Sequence, residues 1–409
     1  MKVRILRGAQ QVGGSCIEVS AKGRRIVLDA GMPMGRLPRQ SELLPDIPGL
    51  WAPGDGSLLG VFVSHMHPDH VGLVDLVDRS VPVHLGGRAA EMCHETRFFV
   101  PSALNVGATR DLTDGCPVSL GPFTVTPFAV DHGIDDAFAL LIEADGRRLL
   151  YSGDLRGHGR KPECIEELAK RSGPVDVLLL EGTRIGRGDP KAAETSEADV
   201  EEMCVERFRA ARGAVIVFAS GQNLDRIDTI ARAADRVSRT AVLDLYGATM
   251  WSATRRRWPC GARVRLAGWQ RRRILERRAF ERTRAVRSRR IFDDELARRA
   301  SELVILARTS SLEELENLGV LLDADAVWSM WSGYLTSSSS APALRILRRN
   351  GVALHIAHAS GHACPRDLQR LVTALRPGRV VPVHTEFPHA MAELVGGAEP
   401  HRDQEWWEV

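Results

Sequence analysis

Between Val61 and His70 the chain reads Val61-Phe62-Val63-Ser64-His65-Met66-His67-Pro68-Asp69-His70. Three histidines and one aspartate, His65, His67, Asp69 and His70, fall within six residues, directly after an apolar stretch that reads as a buried strand. Imidazole and carboxylate are the ligands divalent zinc prefers. The spacing is too tight for one helix face. On an extended strand end His65 and His67 point the same way, because strand side chains repeat every two residues. Asp69 and His70 then fall in the following turn and can reach a second metal. Two metals about 3.5–4 Å apart are a general device for in-line hydrolysis of phosphate esters. The plain alternative is a satisfied surface cluster of histidines, and the rest of the chain weighs against it by supplying further ligands.

Asp154, in Tyr151-Ser152-Gly153-Asp154, follows a strand and a glycine and suits a bridging carboxylate. His132, in Val130-Asp131-His132-Gly133, follows another strand, and His384, in Pro382-Val383-His384-Thr385-Glu386, ends the last long one. Asp29, in Leu28-Asp29-Ala30-Gly31, also ends a strand. It is better suited to orient a ligand or the attacking water than to bind metal, since carboxylates behind the ligands fix histidine tautomers. Each of these is weak alone. Jointly they carry weight, because every one sits at a strand terminus.

The elements that must position them alternate in two textures. Up to Glu181, short apolar strands are separated by glycine-rich turns: Arg4–Leu6, Ser15–Val19 and Arg25–Asp29, the latter two joined by the hairpin turn Ala21-Lys22-Gly23. The Val61 strand follows, with a helix expected near Val71–Asp78. Later strands are expected near 82–85, 123–128, 137–142, 148–152 and 175–181, the last a wholly apolar run that suits burial on both faces. After Gly182 the pattern becomes strand–helix–strand, with strands near 213–219, 240–245, 303–307 and 326–330, which favours a parallel sheet. Strands at Gly351–Ile356 and Arg379–His384 are expected to return to the first sheet.

A chain of 409 residues suits two domains, and a hydrophobic fraction of 44% excludes a disordered chain. No stretch approaches the roughly 20 apolar residues of a membrane span, so no membrane partner is expected. The start, Met1–Leu6, reads as a strand and lacks the apolar core of a signal peptide. The seven cysteines, Cys16, Cys93, Cys116, Cys164, Cys204, Cys260 and Cys364, form no C-x-x-C pair, so a reducing cytoplasm is the simplest location. Net charge is only +3, yet arginine is dense between Arg255 and Arg299. Clustered arginine is the footprint of a phosphate-backbone partner. Ion pairing with Glu276, Glu281 or Glu295 on solvated helices is the competing explanation.

The sequence resembles the metallo-β-lactamase superfamily, and within it the β-CASP nucleases, whose relatives include ribonuclease J and the endonuclease of messenger-RNA 3′-end cleavage. The H-x-H-x-D-H run marks the superfamily. Glu181-Gly182-Thr183, His362 in His358-Ala359-Ser360-Gly361-His362, and His384 resemble three further β-CASP motifs. The resemblance implies an αββα sandwich of the α/β class, formed by residues 1–183 and 345–409. An inserted α/β β-CASP domain with a parallel sheet would occupy 184–344. It implies two zinc ions, with manganese or another divalent metal as the alternative. His65, His67 and His132 would bind the first, Asp69, His70 and His384 the second, with Asp154 bridging. His362 would contact the scissile phosphate and protonate the leaving oxygen, with Glu181 holding its ring; Asp69 and Asp29 complete the catalytic set.

The function so implied is a zinc-dependent ribonuclease acting on single-stranded RNA. Histidine at the third motif is what RNA-cutting members resemble one another in, whereas DNA-cutting members carry valine there. Ser220, Tyr334, His358 and Ser360 lie where relatives line the substrate channel. Only 25 residues follow His384 (409 − 384), which suggests a minimal two-domain member and leaves exonuclease or endonuclease action, and a homo-oligomer or complex partner, open. The alternatives are a β-CASP DNA nuclease, a small-molecule hydrolase of lactonase or thioesterase type, and an RNA-binding scaffold subunit.

Overall fold

The computed structural model describes residues 1–35, 44–100, 104–187, 194–254, 256–259 and 261–409. Arg255 and Cys260 lie outside the described residues. Two compact units form: Met1–Glu194 with Gly361–Val409, and Thr195–Ser360.

The first unit is built on two sheets. One has seven strands in the order Trp406–Glu408, Lys2–Arg7, Cys16–Ala21, Arg24–Leu28, Leu58–Phe62, Val83–Gly86 and Thr109–Leu112. The other has six: Arg379–Val383, Val177–Glu181, Arg147–Tyr151, Phe138–Ala144, Phe123–Ala129 and Val118–Leu120. The hairpin turn falls on Lys22-Gly23, whose φ values of 48° and 70° match the twist of the strands that it joins. Alternate residues of both sheets meet in one core, with Ile5, Ile17, Ile26 and Phe62 from the first and Phe123, Leu140, Tyr151, Leu179 and Val381 from the second. Helices cover the outside: Gly87–Phe99 packs on Val83–Gly86, and Cys164–Ser172 packs on Phe123–Ala129 and on Pro365–Leu375. Pro365–Leu375 turns Leu368, Leu371 and Leu375 inward at the spacing of one helix face.

Strand direction is what positions the site. Arg147–Tyr151, Val177–Glu181 and Arg379–Val383 are mutually parallel. Phe123–Ala129 runs the same way, because Phe138–Ala144 is antiparallel both to it and to Arg147–Tyr151. In the facing sheet Arg24–Leu28 and Leu58–Phe62 are parallel. The carboxyl ends of these six strands lead into the segments that carry Asp29, His65–His70, His132, Asp154, Glu181 and His384.

Two local expectations are corrected here. The strand before the histidine run stops at Phe62, so His65 and His67 lie in a loop and strand alternation does not aim them. Beyond the strand, the amide and hydroxyl of Ser64 donate to the Asp29 carboxylate, 35 residues away in the chain, at 2.7 and 2.8 Å. The helix expected over 71–78 is instead a single turn at Pro68–Val71, with proline at its first position, followed by a 3-10 turn at Val74–Leu76.

The second unit holds an all-parallel sheet in the order Arg263–Arg265, Thr240–Asp244, Leu303–Ala307, Val215–Phe218, Asp325–Trp328 and Ala353–Ile356. Both faces are buried. Ile216 and Phe218 enter one core cluster, while Val215 and Val217 enter the other. The strand Ala353–Ile356, expected in the first sheet, is an edge strand of this one, paired with Asp325–Trp328. Helix Ala341–Arg349, just before it, buries Ala343, Ile346 and Leu347 in this unit's core and carries the chain over to that edge. The compact unit that holds it runs from Thr195 to Ser360.

Candidate active site

The strand ends of the first unit bring nine side chains together. His65, His67 and His132 form one cluster; Asp69, His70, Asp154 and His384 form a second; Glu181 and His362 join Asp154 and His384 in a third. His65 Nε2 and His132 Nε2 each lie 3.0 Å from His67 Nδ1. Asp154 Oδ2 is shared between the first two clusters, at 3.7 Å from His65 Nε2, 3.8 Å from His132 Nε2 and 3.1 Å from His70 Nε2. Asp69 Oδ2 lies 3.2 Å from His384 Nε2.

Partners behind the clusters fix which nitrogen faces inward. His132 Nδ1 donates to the carbonyl of Gly361 at 2.5 Å, leaving Nε2 for the cluster. His70 Nδ1 is 2.7 Å from Asp29 Oδ2, and His384 Nδ1 is 2.8 Å from Thr183 Oγ1. Asp29 is wholly buried and also accepts from Tyr151 Oη at 2.7 Å as well as from Ser64. Asp29 and His384 both adopt left-handed backbone, at φ 59° and 51°, where non-glycine residues are strained and are held by their surroundings. Gly31 allows the closest approach: a Cβ there would sit 1.8 Å from the carbonyl oxygen of Asp69.

Charge follows from this packing. Burial, reinforced by neighbouring imidazoles, holds His65 and His132 well below the ordinary histidine range, in the neutral form that binds metal. Burial also lowers His67, against the pull of Asp69 and Asp154. Burial would lower His70 too, but Asp154, Asp29 and Asp69 outweigh it and raise the ring well above its usual value. Burial would raise Asp154, and His384, His70 and His362 outweigh it, keeping the carboxylate ionised. Asp69 is held low in the same way, chiefly by His70 and His384 against its burial.

The donor set fits divalent cations on its own terms. Ring nitrogens and carboxylate oxygens crowd at contact distance in a buried space, and Nε2 of His70 and Oδ1 of Asp154 are buried without a hydrogen bond. A cation satisfies such atoms where no proton arrangement does.

Beside the clusters stands His362, its Nδ1 3.4 Å from Glu181 Oε1 and 3.6 Å from Asp154 Oδ2. Burial works against its protonation, but Glu181 and Asp154 raise it to about 9. Glu181 is itself braced by the backbone amides of Leu155, Thr183 and Ala363.

His358, Ser360, Ser220 and Tyr334 belong to the second unit. Tyr334 is exposed and set edge-on to Trp331. Ser220 closes a turn onto the amide of Gln222. His358 lies beside a residue that sequence reasoning missed, Arg226. Wholly buried, Arg226 forks onto Glu197 at 2.7 and 3.0 Å and donates to the carbonyls of Ser329 and Ala359 and to Nδ1 of His358. The contact with His358 Nδ1 is the longest of these, at 3.4 Å. Ser64 and Tyr151, which hold Asp29, were also missed; the only signal was their place at strand ends beside named residues.

Residues 24–219 match the family described as "Beta-lactamase superfamily domain", and residues 349–395 match the "Zn-dependent metallo-hydrolase RNA specificity domain". Ribonuclease J of Sinorhizobium meliloti is 28% identical over 227 residues, 53% of this chain and 39% of that protein. Ribonuclease J of Helicobacter pylori is 24% identical over 56% of this chain and 34% of its own length. The chain thus spans well under two thirds of these two relatives. Ribonuclease J of Mycoplasma genitalium is 23% identical over 94% of this chain and 68% of that protein. A crystal structure of a protein of unknown function from Enterococcus faecalis V583 has the same fold, with a TM-score of 0.81 at 20% identity over 99% of both chains. These matches support a place in the metallo-β-lactamase superfamily, in its ribonuclease J-like β-CASP branch.

Proposed function

We propose that this protein is a metal-dependent ribonuclease that hydrolyses phosphodiester bonds of single-stranded RNA, with zinc as its first-choice metal. The observation that carries this reading is the convergence of two buried donor clusters on Asp154, next to the His362–Glu181 pair. The names of the relatives and the RNA-specificity description of residues 349–395 direct it to RNA.

His65, His67 and His132 would hold one cation and Asp69, His70 and His384 another, with Asp154 common to both. Bound divalent cations supply Lewis acidity at the phosphate and neutralise its charge. Asp69 turns Oδ2 to His384 and keeps Oδ1 to orient the attacking water. His362, held by Glu181, passes a proton to the leaving oxygen. Asp29 acts one step back, fixing His70 with Nε2 inward. Ser220, Tyr334, His358 and Ser360 are assigned to the RNA strand. The second unit is read as the β-CASP insertion. A cytoplasmic location fits the unpaired Cys16, Cys93, Cys116, Cys164, Cys204 and Cys364. Among the described residues no helix is long and apolar enough to cross a membrane.

The test uses RNA and DNA of matched sequence, labelled at the 5′ or the 3′ end, with and without chelator. Cleavage of RNA that chelator abolishes and zinc restores is expected, and the product ends read the mode of cutting. Undiminished activity after chelation, or turnover of a thioester with no nucleic acid cut, sinks the reading.

A further inference from the structure

Arginine is not spread evenly over this molecule. From Gly268 to Arg290 there are ten arginines and two glutamates, a net +8 (10 − 2) in a chain whose total is +3, so the remainder carries −5 (3 − 8). The segment folds as helix Gly268–Arg277, helix Phe280–Ala285 and a 3-10 turn at Arg287–Arg289. Gln270, Ile274, Ala279 and Val286 face inward, and Arg272, Arg277, Arg278, Arg284 and Arg287 are exposed.

Elsewhere arginine is mostly matched with acid: Arg4 and Arg25 on Glu18, Arg171 on Asp114, Arg236 on Glu202, Arg349 on Glu316. At the border of the segment, Arg271 pairs with Asp293 and Glu314, and Arg263 and Arg299 with Glu295. The five exposed arginines have no carboxylate within ion-pair distance among the described residues, Glu276 and Glu281 included. Ion pairing therefore does not explain them. Exposed apolar groups are interleaved: Leu275, Phe280 and Phe292, with Arg290 stacked 4.5 Å over the Phe292 ring and Arg289 4.9 Å over Trp258.

We infer that this face is a docking platform for single-stranded RNA, separate from the residues assigned to cleavage. Unmatched guanidinium groups take successive phosphates, and exposed rings offer stacking surfaces to unpaired bases. A membrane surface would call for a continuous apolar face opposite the charge, whereas here the side opposite the arginines is packed into the unit. The choice of RNA over another polyanion rests on the ribonuclease reading.

The test is anisotropy of a fluorescein-labelled, phosphorothioate-backbone RNA of about 20 nucleotides, long enough to lie over several of these arginines. It is titrated with the full-length protein over a range of salt concentrations. The triple variant R272E/R277E/R284E should bind at least about tenfold more weakly. Its slope of log K against log salt should fall by about 2, near 0.7 for each lost phosphate contact. R272K/R277K/R284K keeps the charge and should keep the slope. A glutamine triple, read in the same way, replaces the glutamate triple if the latter misfolds. Cleavage of a dinucleotide RNA should proceed at the wild-type kcat in all of them. Unchanged affinity and slope in the glutamate triple overturn the platform, as does loss of binding to phosphatidylserine vesicles with RNA binding intact. Platform-dependent binding without any cleavage would instead overturn the ribonuclease reading and leave the platform standing.

Discussion

Each unit of the molecule holds a wholly buried charged residue that gathers several hydrogen bonds, Asp29 in the first and Arg226 in the second. Asp29 gathers hydrogen bonds from groups that titrate or bind metal, or that lie next to those that do: His70, Ser64 and Tyr151. Arg226 gathers groups that do neither, two backbone carbonyls and a hydroxyl, with Glu197 as its fixed counter-charge and His358 at its edge. The first hub leaves its charge to be balanced by whatever the site binds. The second is closed on itself, and its work is to hold the segment through Ala359 in place. The same physical device, a buried charge that gathers hydrogen bonds, thus sits beside the proposed site in one unit and holds the scaffold in the other.

Breaking the closed hub should have the largest effect. Arg226→Met leaves Glu197 charged and buried without its counter-charge, though still bonded by Thr229 Oγ1 at 2.8 Å, which costs about 3–5 kcal/mol. Urea unfolding should show that loss, and R226M/E197M should recover part of it, because the uncompensated charge is gone. A loss for R226M no larger than that of an ordinary surface substitution would mean that Arg226 does not organise its unit.

Breaking the open hub should weaken function more than folding. Asp29→Asn keeps the volume and loses the charge that fixes His70. Affinity for divalent metal should fall about 10–100-fold. Metal retained per chain after dialysis against graded chelator measures this without reference to turnover. Wild-type retention would remove Asp29 from any role in binding.

What could be read in advance follows the same division. The gathering of the clustered side chains was legible because most of them follow a strand whose apolar run is plain in the sequence, and because parallel strands bring their carboxyl ends to one edge. Arg226 was illegible: it sits in Leu224–Arg236, an ordinary amphipathic helix, and only the fold reveals that it points into protein. The strand Ala353–Ile356 was recognised as a strand but given to the wrong sheet, since an apolar run specifies extended backbone and not its neighbour. The loop at His65 and His67 was read as strand; beside it Ser64 reaches Asp29, a contact 35 residues distant in the chain.

A third buried pair sharpens the contrast through pH. His158 Nδ1 lies 3.0 Å from Asp367 Oδ2. Burial lowers His158, but the hydrogen bond to Asp367, with help from Cys364 and Glu194, raises it from 6.5 to about 9. A histidine raised in the folded state adds stability that is complete below its unfolded pKa and is lost as pH climbs through the folded one. The window is therefore pH 6.5 to about 9. Burial would raise Asp367, yet its bond to His158 brings it from 3.8 to about 2, so its share is lost only as pH falls below 3.8. The stability difference between wild type and His158→Gln should shrink by roughly 3 kcal/mol across the upper window. The Arg226 pair should show no such loss, because guanidinium does not titrate there. A pH-independent difference for His158→Gln would show that the pair contributes packing rather than charge.

The smallest effect tests how far the Asp29 hub is redundant. Tyr151→Phe removes one of its four hydrogen bonds, the one from Oη at 2.7 Å, and leaves the ring in the core between the sheets. Asp29 keeps its three donors from Ser64 and His70, so His70 should stay oriented. The expected loss is about 1–1.5 kcal/mol of stability, the net value of one hydrogen bond to a charged acceptor, with less than a tenfold change in metal affinity. If Tyr151→Phe released metal as readily as Asp29→Asn, the tyrosine would be holding the carboxylate in place for the histidine. The hub would then be a chain in which each link is needed, rather than a cluster that tolerates the loss of one.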